Sequence, residues 1–477
     1  MLRPWKLEIQ LDKQLRQAIY LQIADAIIAD IQSGRLPKGT VLPGSRKLAQ
    51  DLGVNRNTVV EALQVLVNEE WLVAKERSGT LVADVLPVLT ARVKGGVSEN
   101  TAVAAGVHYG IRFDDGHPDS KIAPVDELAR AYRQIFKRQA KWQIMGYGDA
   151  YGDLEFRRAV VNMLNHLRGM RTNEAAICIT RGSQMAMYLT AHCLFEPGDC
   201  VLIENPGYQP AWKAFESSGA TLLPVGVDKE GLVIEEVVAY LEKHPNVKAI
   251  YTTPHHQYPT TVTLSLQRRL ELIRLSNKYG FAIIEDDYDN EFHFGYRPVL
   301  PLCSYVELEN YVYIGTMSKV VAPALRIGYL VSNQEQLLQR VGALRKIIDV
   351  QGDAIMEQAV LQLIQDGAIK RHLKKATAYY KGKRNFTAAL LTKYLKEKVD
   401  FSIPEGGLAF WIVPKKPVNW KNLSTRLQSR SMEIISPSSY SFQGEEGNGI
   451  RLSYGSLPEE QLELGIKKDH SQKLCVN

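Results

Sequence analysis

Between residues 176 and 285, short apolar runs alternate with amphipathic stretches of helical spacing, and no other feature narrows the possible folds as much. Strands are expected at 176–180, 201–204, 221–225, 248–252 and 282–285, and helices at 183–195, 210–218 and 266–279. Helices at 125–139 and 154–168 precede them, and another strand-like run follows at 311–314. Strands separated by helices build a largely parallel sheet, and the loops at the strand ends are where chemistry collects. The expected fold class of this part is α/β with a mainly parallel sheet.

Three of those loops carry reactive residues. After the run at 311–314 comes Gly315-Thr316-Met317-Ser318-Lys319, with Arg326 seven residues beyond the lysine. A lysine among small residues suits an amine that forms a Schiff base with an aldehyde, because partial desolvation lowers its pKa. A nearby hydroxyl and guanidinium suit a phosphate on the same molecule. The aldehyde inferred is pyridoxal phosphate. Taken alone, Lys319 reads as a surface lysine behind a buried strand, and the other loops alter that balance. In Thr180-Arg181-Gly182-Ser183-Gln184 a strand meets a helix, so Gly182 permits close backbone approach while Ser183, Gln184 and the helix N-terminus can hold a phosphate. In Ile284-Glu285-Asp286-Asp287-Tyr288 acids and a phenol end a buried-type strand, 33 residues before Lys319. A carboxylate there can keep a pyridine nitrogen protonated, and a tyrosine can hydrogen-bond a ring hydroxyl. Metal binding or helix capping is the alternative use of such acids.

The first 84 residues have a different character. Ile19, Ile23, Ile27 and Ile31 form one helical stripe within 15–33, and Gly34 stops it. Ser45 is expected to cap a short helix through Leu52, Gly53 to turn the chain, and Asn55 to cap a second helix through about Asn68. Two short strands, 71–74 and 80–82, then frame a wing. Helix, tight turn, helix and wing is a DNA-reading arrangement. The 11 basic residues against 10 acidic in this stretch give no overall charge argument. Arg46 and Arg56 nevertheless sit at the two helix starts, where side chain and helix N-terminus both favour phosphate. Leu42-Pro43-Gly44-Ser45-Arg46, Leu52-Gly53-Val54 with Arg56-Asn57-Thr58-Val59, and Ser78-Gly79-Thr80 resemble the winged-helix domain of the GntR family. That resemblance implies that Arg46, Asn55, Arg56 and Thr58 touch DNA and that Gly79 approaches a minor groove.

Gly182-Ser183-Gln184, Asn205-Pro206-Gly207-Tyr208, Asp286 with Tyr288, Ser318-Lys319 with Arg326, and Gly449-Ile450-Arg451-Leu452 occur in the order seen in fold-type I aminotransferases. With the GntR-like start, nearly the whole chain resembles the MocR subfamily of regulators. The resemblance implies Lys319 as the aldimine lysine, Asp286 on the pyridine nitrogen, Tyr288 on the ring oxygen and Tyr208 over the ring face. It implies Ser183, Gln184, Ser318 and Arg326 at the phosphate, Arg451 at an effector carboxylate, and Tyr147 reaching the phosphate of a second subunit. It further implies a domain-swapped homodimer, with the DNA-binding domain packed on the partner's large domain. The function implied is a transcription regulator that senses pyridoxal phosphate or an amino compound forming an external aldimine. An amino-acid aminotransferase with an appended DNA-binding domain is the alternative. One departure stands out: His256-Gln257-Tyr258-Pro259-Thr260-Thr261 replaces the Asn-Pro-x-Gly usual in the enzymes, so both asparagine and glycine are missing.

The length of 477 residues accommodates about two or three domains. The expected boundaries are 1–84 for the DNA-binding domain, 85–109 for a linker with no sustained helical or strand period, and 110–477 for the large domain. Segments 349–352 and 436–448 read as loops able to close over a ligand. The five cysteines have no spacing that forms a zinc site or a disulfide framework, so no metal is expected. No stretch has the length and apolarity of a membrane span and the start lacks a leader pattern, so a reducing cytoplasm is the expected compartment. The net charge of +6 permits a nucleic-acid partner without requiring one.

Overall fold

The computed structural model describes residues 7–9, 11–12, 17–75, 79–87, 110–137, 142–295, 299–444 and 447–470. The linker assigned to 85–109 lies outside the described residues from 88 onward. So do the start at 1–6, the wing tip at 76–78, the expected helix ends at 15–16 and 138–139, part of the loop 436–448, and Cys475. The chain divides into two compact units, residues 1–106 and 107–477.

In the first unit, helices α1 (Ile19–Gln32), α2 (Ser45–Leu52) and α3 (Arg56–Asn68) precede strands β1 (Leu72–Lys75) and β2 (Gly79–Val82). Ile23, Ile27 and Ile31 of α1 meet Leu48, Val59, Leu66, Trp71 and Val82 in one buried core, so the isoleucine stripe does what its spacing predicts. Gly53 at φ +64° turns the chain between α2 and α3, and the Asn55 side chain accepts from the Asn57 N–H at 2.9 Å. The two strands pair antiparallel from Leu72–Val82 to Lys75–Gly79. One detail differs: Ser45 does not cap α2. Gly44 holds the extended N-cap position, and the Ser45 hydroxyl, already inside the helix, accepts from Arg56 Nε at 3.4 Å.

The second unit begins with β3 (Ile111–Phe113), α4 (Val125–Lys137) and α5 (Leu154–Arg168). Then follow β4 (Ile177–Thr180), α6 (Ser183–Leu194), β5 (Cys200–Asn205), α7 (Gln209–Ser217), β6 (Thr221–Asp228), β7 (Gly231–Leu232), α8 (Ile234–Lys243) and β8 (Val247–Thr252). Next come α9 (Leu266–Tyr279), β9 (Ala282–Asp287), β10 (Tyr311–Thr316) and β11 (Gly328–Ser332). Strands β4 to β11 form one sheet in the order β4-β11-β10-β9-β8-β5-β6-β7. Only β11 and the two-residue β7 run antiparallel to their neighbours, so the sheet is mainly parallel as expected. Alternate residues feed two cores: Leu202, Ile283 and Tyr313 join one layer, and Val201, Ile203, Ile284 and Ile314 the other. Burial on both faces explains why these strands read as unbroken apolar runs.

The rest of the chain comprises α10 (Glu335–Ile348), α11 (Ala354–Gln365), α12 (Ala368–Leu395), β12 (Val399–Phe401), β13 (Ala409–Pro414), α13 (Trp420–Gln428), β14 (Met432–Ile434), β15 (Ile450–Ser453) and α14 (Glu459–His470). Strands β12, β13 and β15 form an antiparallel sheet, β14 pairs with β3, and Phe113, Tyr380, Leu391, Phe410 and Leu462 share their core.

Where the enzymes' glycine is missing, Thr261 adopts φ +64°. Its N–H donates to Gln257 O at 2.7 Å and the Gln257 N–H donates to Val262 O at 2.8 Å, which holds the turn. A β-branched residue in this region is strained by roughly 1–2 kcal/mol, partly offset because glycine loses more entropy on folding. Thr261→Gly should therefore raise unfolding stability by roughly 0.5–1 kcal/mol. A denaturation midpoint that falls instead would show that the threonine contacts outweigh the strain.

Candidate functional site

The parallel strands all deliver their C-terminal ends to one edge of the sheet. There the loops after β4, β5, β8, β9 and β10 surround a cavity of about 180 Å³. Lys319, in the turn after β10, is half-buried, and its Nζ donates to the Gly116 carbonyl at 2.9 Å. Loss of hydration lowers its pKa, the Asp115 carboxylate works against that, and Arg451 adds to it.

Asp286, the penultimate residue of β9, faces the same cavity. Burial pushes its carboxyl up from 3.8 to about 7, although the Tyr251 hydroxyl donates to Oδ2 at 2.8 Å; the nearby Asp287 reinforces the rise. Its Oδ1 is buried without a hydrogen-bond partner. Such an orphan atom on a cavity-lining residue costs stability unless a ligand completes it. Tyr288 also lines the cavity; its hydroxyl donates to His256 O at 2.9 Å and accepts from Arg451 Nη2 at 3.4 Å.

On another wall, Gly182 at φ +80° precedes Ser183 at the start of α6. A Cβ on Gly182 would stand 2.8 Å from Arg326 Nη2, so the missing side chain is what lets the guanidinium cross this loop. Arg326 is itself left-handed at φ +51° and donates to Arg181 O at 3.3 Å. Ser318 Oγ and Gln184 Oε1 have no hydrogen-bond partner, while Gln184 Nε2 donates to Pro210 O at 2.7 Å. Ser183, Ser318 and Arg326 line the cavity, giving a cation, hydroxyls and a helix N-terminus on one side. Tyr208, after β5, lines it as well and packs edge-on against Tyr258 at 5.1 Å.

Seven of the expected residues thus meet at one cavity: Ser183, Tyr208, Asp286, Tyr288, Ser318, Lys319 and Arg326. Gln184 stands next to it in α6. Arg451 is buried one layer back, its guanidinium 5.2 Å from the Tyr258 ring centroid and 5.8 Å from that of Tyr288. Tyr147 is 92% exposed and borders a separate cavity with Gly148 and Gln351. Of the DNA set, Arg46, Asn55 and Arg56 are exposed, Thr58 is half-buried, and Gly79 opens β2 at φ +85°. Among the described residues no group of three or more His, Cys, Asp or Glu side chains could hold a metal, and no helix is long and apolar enough to cross a membrane.

Sequence reasoning missed part of this wall. Asp115 and His117 line the cavity from the loop after β3, and Thr253 and Tyr258 from the loop after β8. The Asp114-Asp115-Gly116-His117-Pro118 turn was the available signal. Behind them His256 Nδ1 lies 2.7 Å from Asp289 Oδ1; burial opposes the ring's charge, but Asp289 and Asp287 together outweigh it and raise the pKa. Gly406 and Gly407 make room for that pair, since a Cβ on either would come within 2.7 Å of the His256 ring or of Asp289 Oδ2.

The donor set fits pyridoxal phosphate: an amine with lowered pKa, an unpartnered carboxylate oxygen for a pyridinium, and an unpartnered hydroxyl beside a guanidinium for a phosphate. Comparison with known proteins bears on both units. The aminotransferase class I and II family model matches residues 111–468, and that of the gntR family of bacterial regulatory proteins matches residues 19–82. The probable rhizopine catabolism regulatory protein MocR of Rhizobium meliloti is 26% identical over 98% of this chain and 96% of its own length. Aromatic-amino-acid aminotransferase 1 of Thermococcus litoralis is 26% identical over 75% of this chain and 86% of its own. Among solved structures, an archaeal alanine:glyoxylate aminotransferase superposes with a TM-score of 0.72 at 27% identity, covering 77% of this chain and 92% of that one. The chain therefore belongs to the aminotransferase class I and II family and has the architecture of MocR-type transcription regulators, a gntR-family winged-helix domain ahead of an aminotransferase-like domain.

Proposed function

We propose that this regulator binds pyridoxal phosphate at Lys319 and that its affinity for operator DNA depends on what occupies that site. The observation that carries the reading is the meeting of the Lys319 amine, the unpartnered Asp286 Oδ1 and the unpartnered Ser318 Oγ at one cavity. Lys319 would hold the cofactor's aldehyde carbon, Asp286 its pyridine nitrogen, Tyr288 its ring oxygen and Tyr208 its ring. Ser183, Gln184, Ser318 and Arg326 hold the phosphate. When bound, the cofactor supplies an electrophilic carbon that amines can attack. The effector is the cofactor itself or an amino compound whose carboxylate meets Arg451 through its unpartnered Nε.

The working unit we propose is a domain-swapped homodimer of the reducing cytoplasm, with residues 1–84 binding DNA, 85–109 linking and 110–477 sensing. Tyr147 would complete the phosphate site of a second copy. In support, Tyr147 is 92% exposed, which is unusual for a large aromatic side chain. DNA contacts fall to Arg46, Asn55, Arg56, Thr58 and Gly79. Arg56→Ala should weaken duplex binding and, if Arg56 holds a phosphate, lower the salt slope by about one. Unchanged affinity and slope would remove Arg56 from the interface.

The competing reading, an aminotransferase with an appended DNA-binding domain, draws on the lowered pKa of Lys319, which equips it to move a proton. A steady-state transamination assay on a panel of amino acids decides between them. The regulator reading expects turnover far below about 1 per second, and enzyme-like rates with DNA affinity indifferent to every ligand would overturn it.

A further inference from the structure

Arg451 keeps one donor unspent. Its Nη1 donates to Pro259 O at 3.1 Å and Nη2 to the Tyr288 hydroxyl at 3.4 Å, whereas Nε is buried without a hydrogen-bond partner. Asp115 Oδ1 stands 4.0 Å from Nε, close enough for an ion pair but too far for a hydrogen bond, and accepts instead from the Tyr258 hydroxyl. Asp115 is half-buried and lines the cavity, so it faces a ligand directly. Gly116 fixes its position: the Gly116 carbonyl accepts a hydrogen bond from Lys319 Nζ, and a Cβ there would lie 3.3 Å from Arg451 Nη2.

We propose that Asp115 selects the effector and that its class is an amino acid with a second, side-chain cation. The inference rests on the reading of Arg451 as the contact for an effector carboxylate. Asp115 already balances the Arg451 charge. A ligand carboxylate that takes up Nε therefore enters beside Asp115 and puts two carboxylates on one guanidinium. A like charge about 4 Å away weakens binding about fivefold in water and up to about a thousandfold at the dielectric of a protein surface. A side-chain ammonium on the same ligand converts that repulsion into an ion pair with Asp115. Neutral aliphatic amino acids leave the excess charge unanswered, and dicarboxylic ones add to it.

Titration calorimetry on the full chain loaded with pyridoxal phosphate, using lysine, norleucine and glutamate, tests the proposal. Lysine should bind at least about tenfold tighter than norleucine, with glutamate weakest. In Asp115→Asn the lysine-to-norleucine ratio should collapse to near unity. Each ratio is taken within one protein, so partial misfolding of the variant cancels. Equal binding of lysine and norleucine by the natural chain, or a ratio unaltered in Asp115→Asn, overturns the role of Asp115 while leaving the sensor reading intact. Silence from every amino compound overturns the proposal and leaves the cofactor itself as the effector.

Discussion

Lys319→Ala should abolish covalent retention of pyridoxal phosphate. The natural chain reconstituted with the cofactor should show a visible absorbance, and borohydride reduction followed by peptide mapping should find the adduct on the peptide containing Lys319. The variant should show neither. Loss of folding is not the reason, because burial disfavours the Lys319 ammonium, and an amine with a lowered pKa costs stability while it is charged. The cofactor-free variant should thus unfold no more easily than the cofactor-free natural chain near neutral pH. An adduct mapped to another lysine, or a variant that keeps its visible band, contradicts the assignment.

Asp286→Asn should move stability and cofactor binding in opposite directions. Burial raises the Asp286 carboxyl from 3.8 to about 7, so the folded chain binds this proton more tightly than the unfolded chain does. The stabilisation from the neutral form is fully present below pH 4 and is lost as the pH rises through about 7. At pH 8 the buried carboxylate costs the cofactor-free chain up to roughly 4 kcal/mol, a cost that asparagine removes. The variant should therefore melt higher than the natural chain at pH 8 and alike at pH 4. With the cofactor the order reverses, since asparagine cannot pair with a pyridinium and removing one member of a buried ion pair weakens it by roughly a hundredfold or more. Thermal unfolding at the two pH values, with and without pyridoxal phosphate, reads both effects. A lower melting temperature for the cofactor-free variant at pH 8 would mean that the Tyr251 hydrogen bond matters more than the buried charge.

What could be read from the sequence was what local pattern dictates. Strands β4, β5, β8 and β9 were legible because burial on both faces demands unbroken apolar residues, and Ser183, Asp286 and Lys319 followed because strand ends of a parallel sheet share one edge. Strand β11 was not, since Gly328–Ser332 looks like its parallel neighbours and nothing local marks its reversed direction between β4 and β10. Nor was Asp115, which reaches the cavity from a loop some 200 residues before Lys319 through a contact that no spacing rule encodes. The same holds for the His256–Asp289 pair, whose room is made by Gly406 and Gly407 from a distant segment. Arg451 was found by motif, but its place behind Tyr258 and Tyr288 depends on packing between separate loops.

The central claim is that ligand occupancy at Lys319 sets DNA affinity, and one measurement tests it most directly. A duplex selected by the protein from random sequence is titrated, at fixed salt, with the natural chain and with Lys319→Ala, each with and without pyridoxal phosphate. The account predicts that the cofactor shifts the affinity of the natural chain by about tenfold or more, in the range of ordinary allosteric coupling, and leaves Lys319→Ala unmoved. Identical affinities for the natural chain in both states, with the cofactor bound at Lys319, would contradict it.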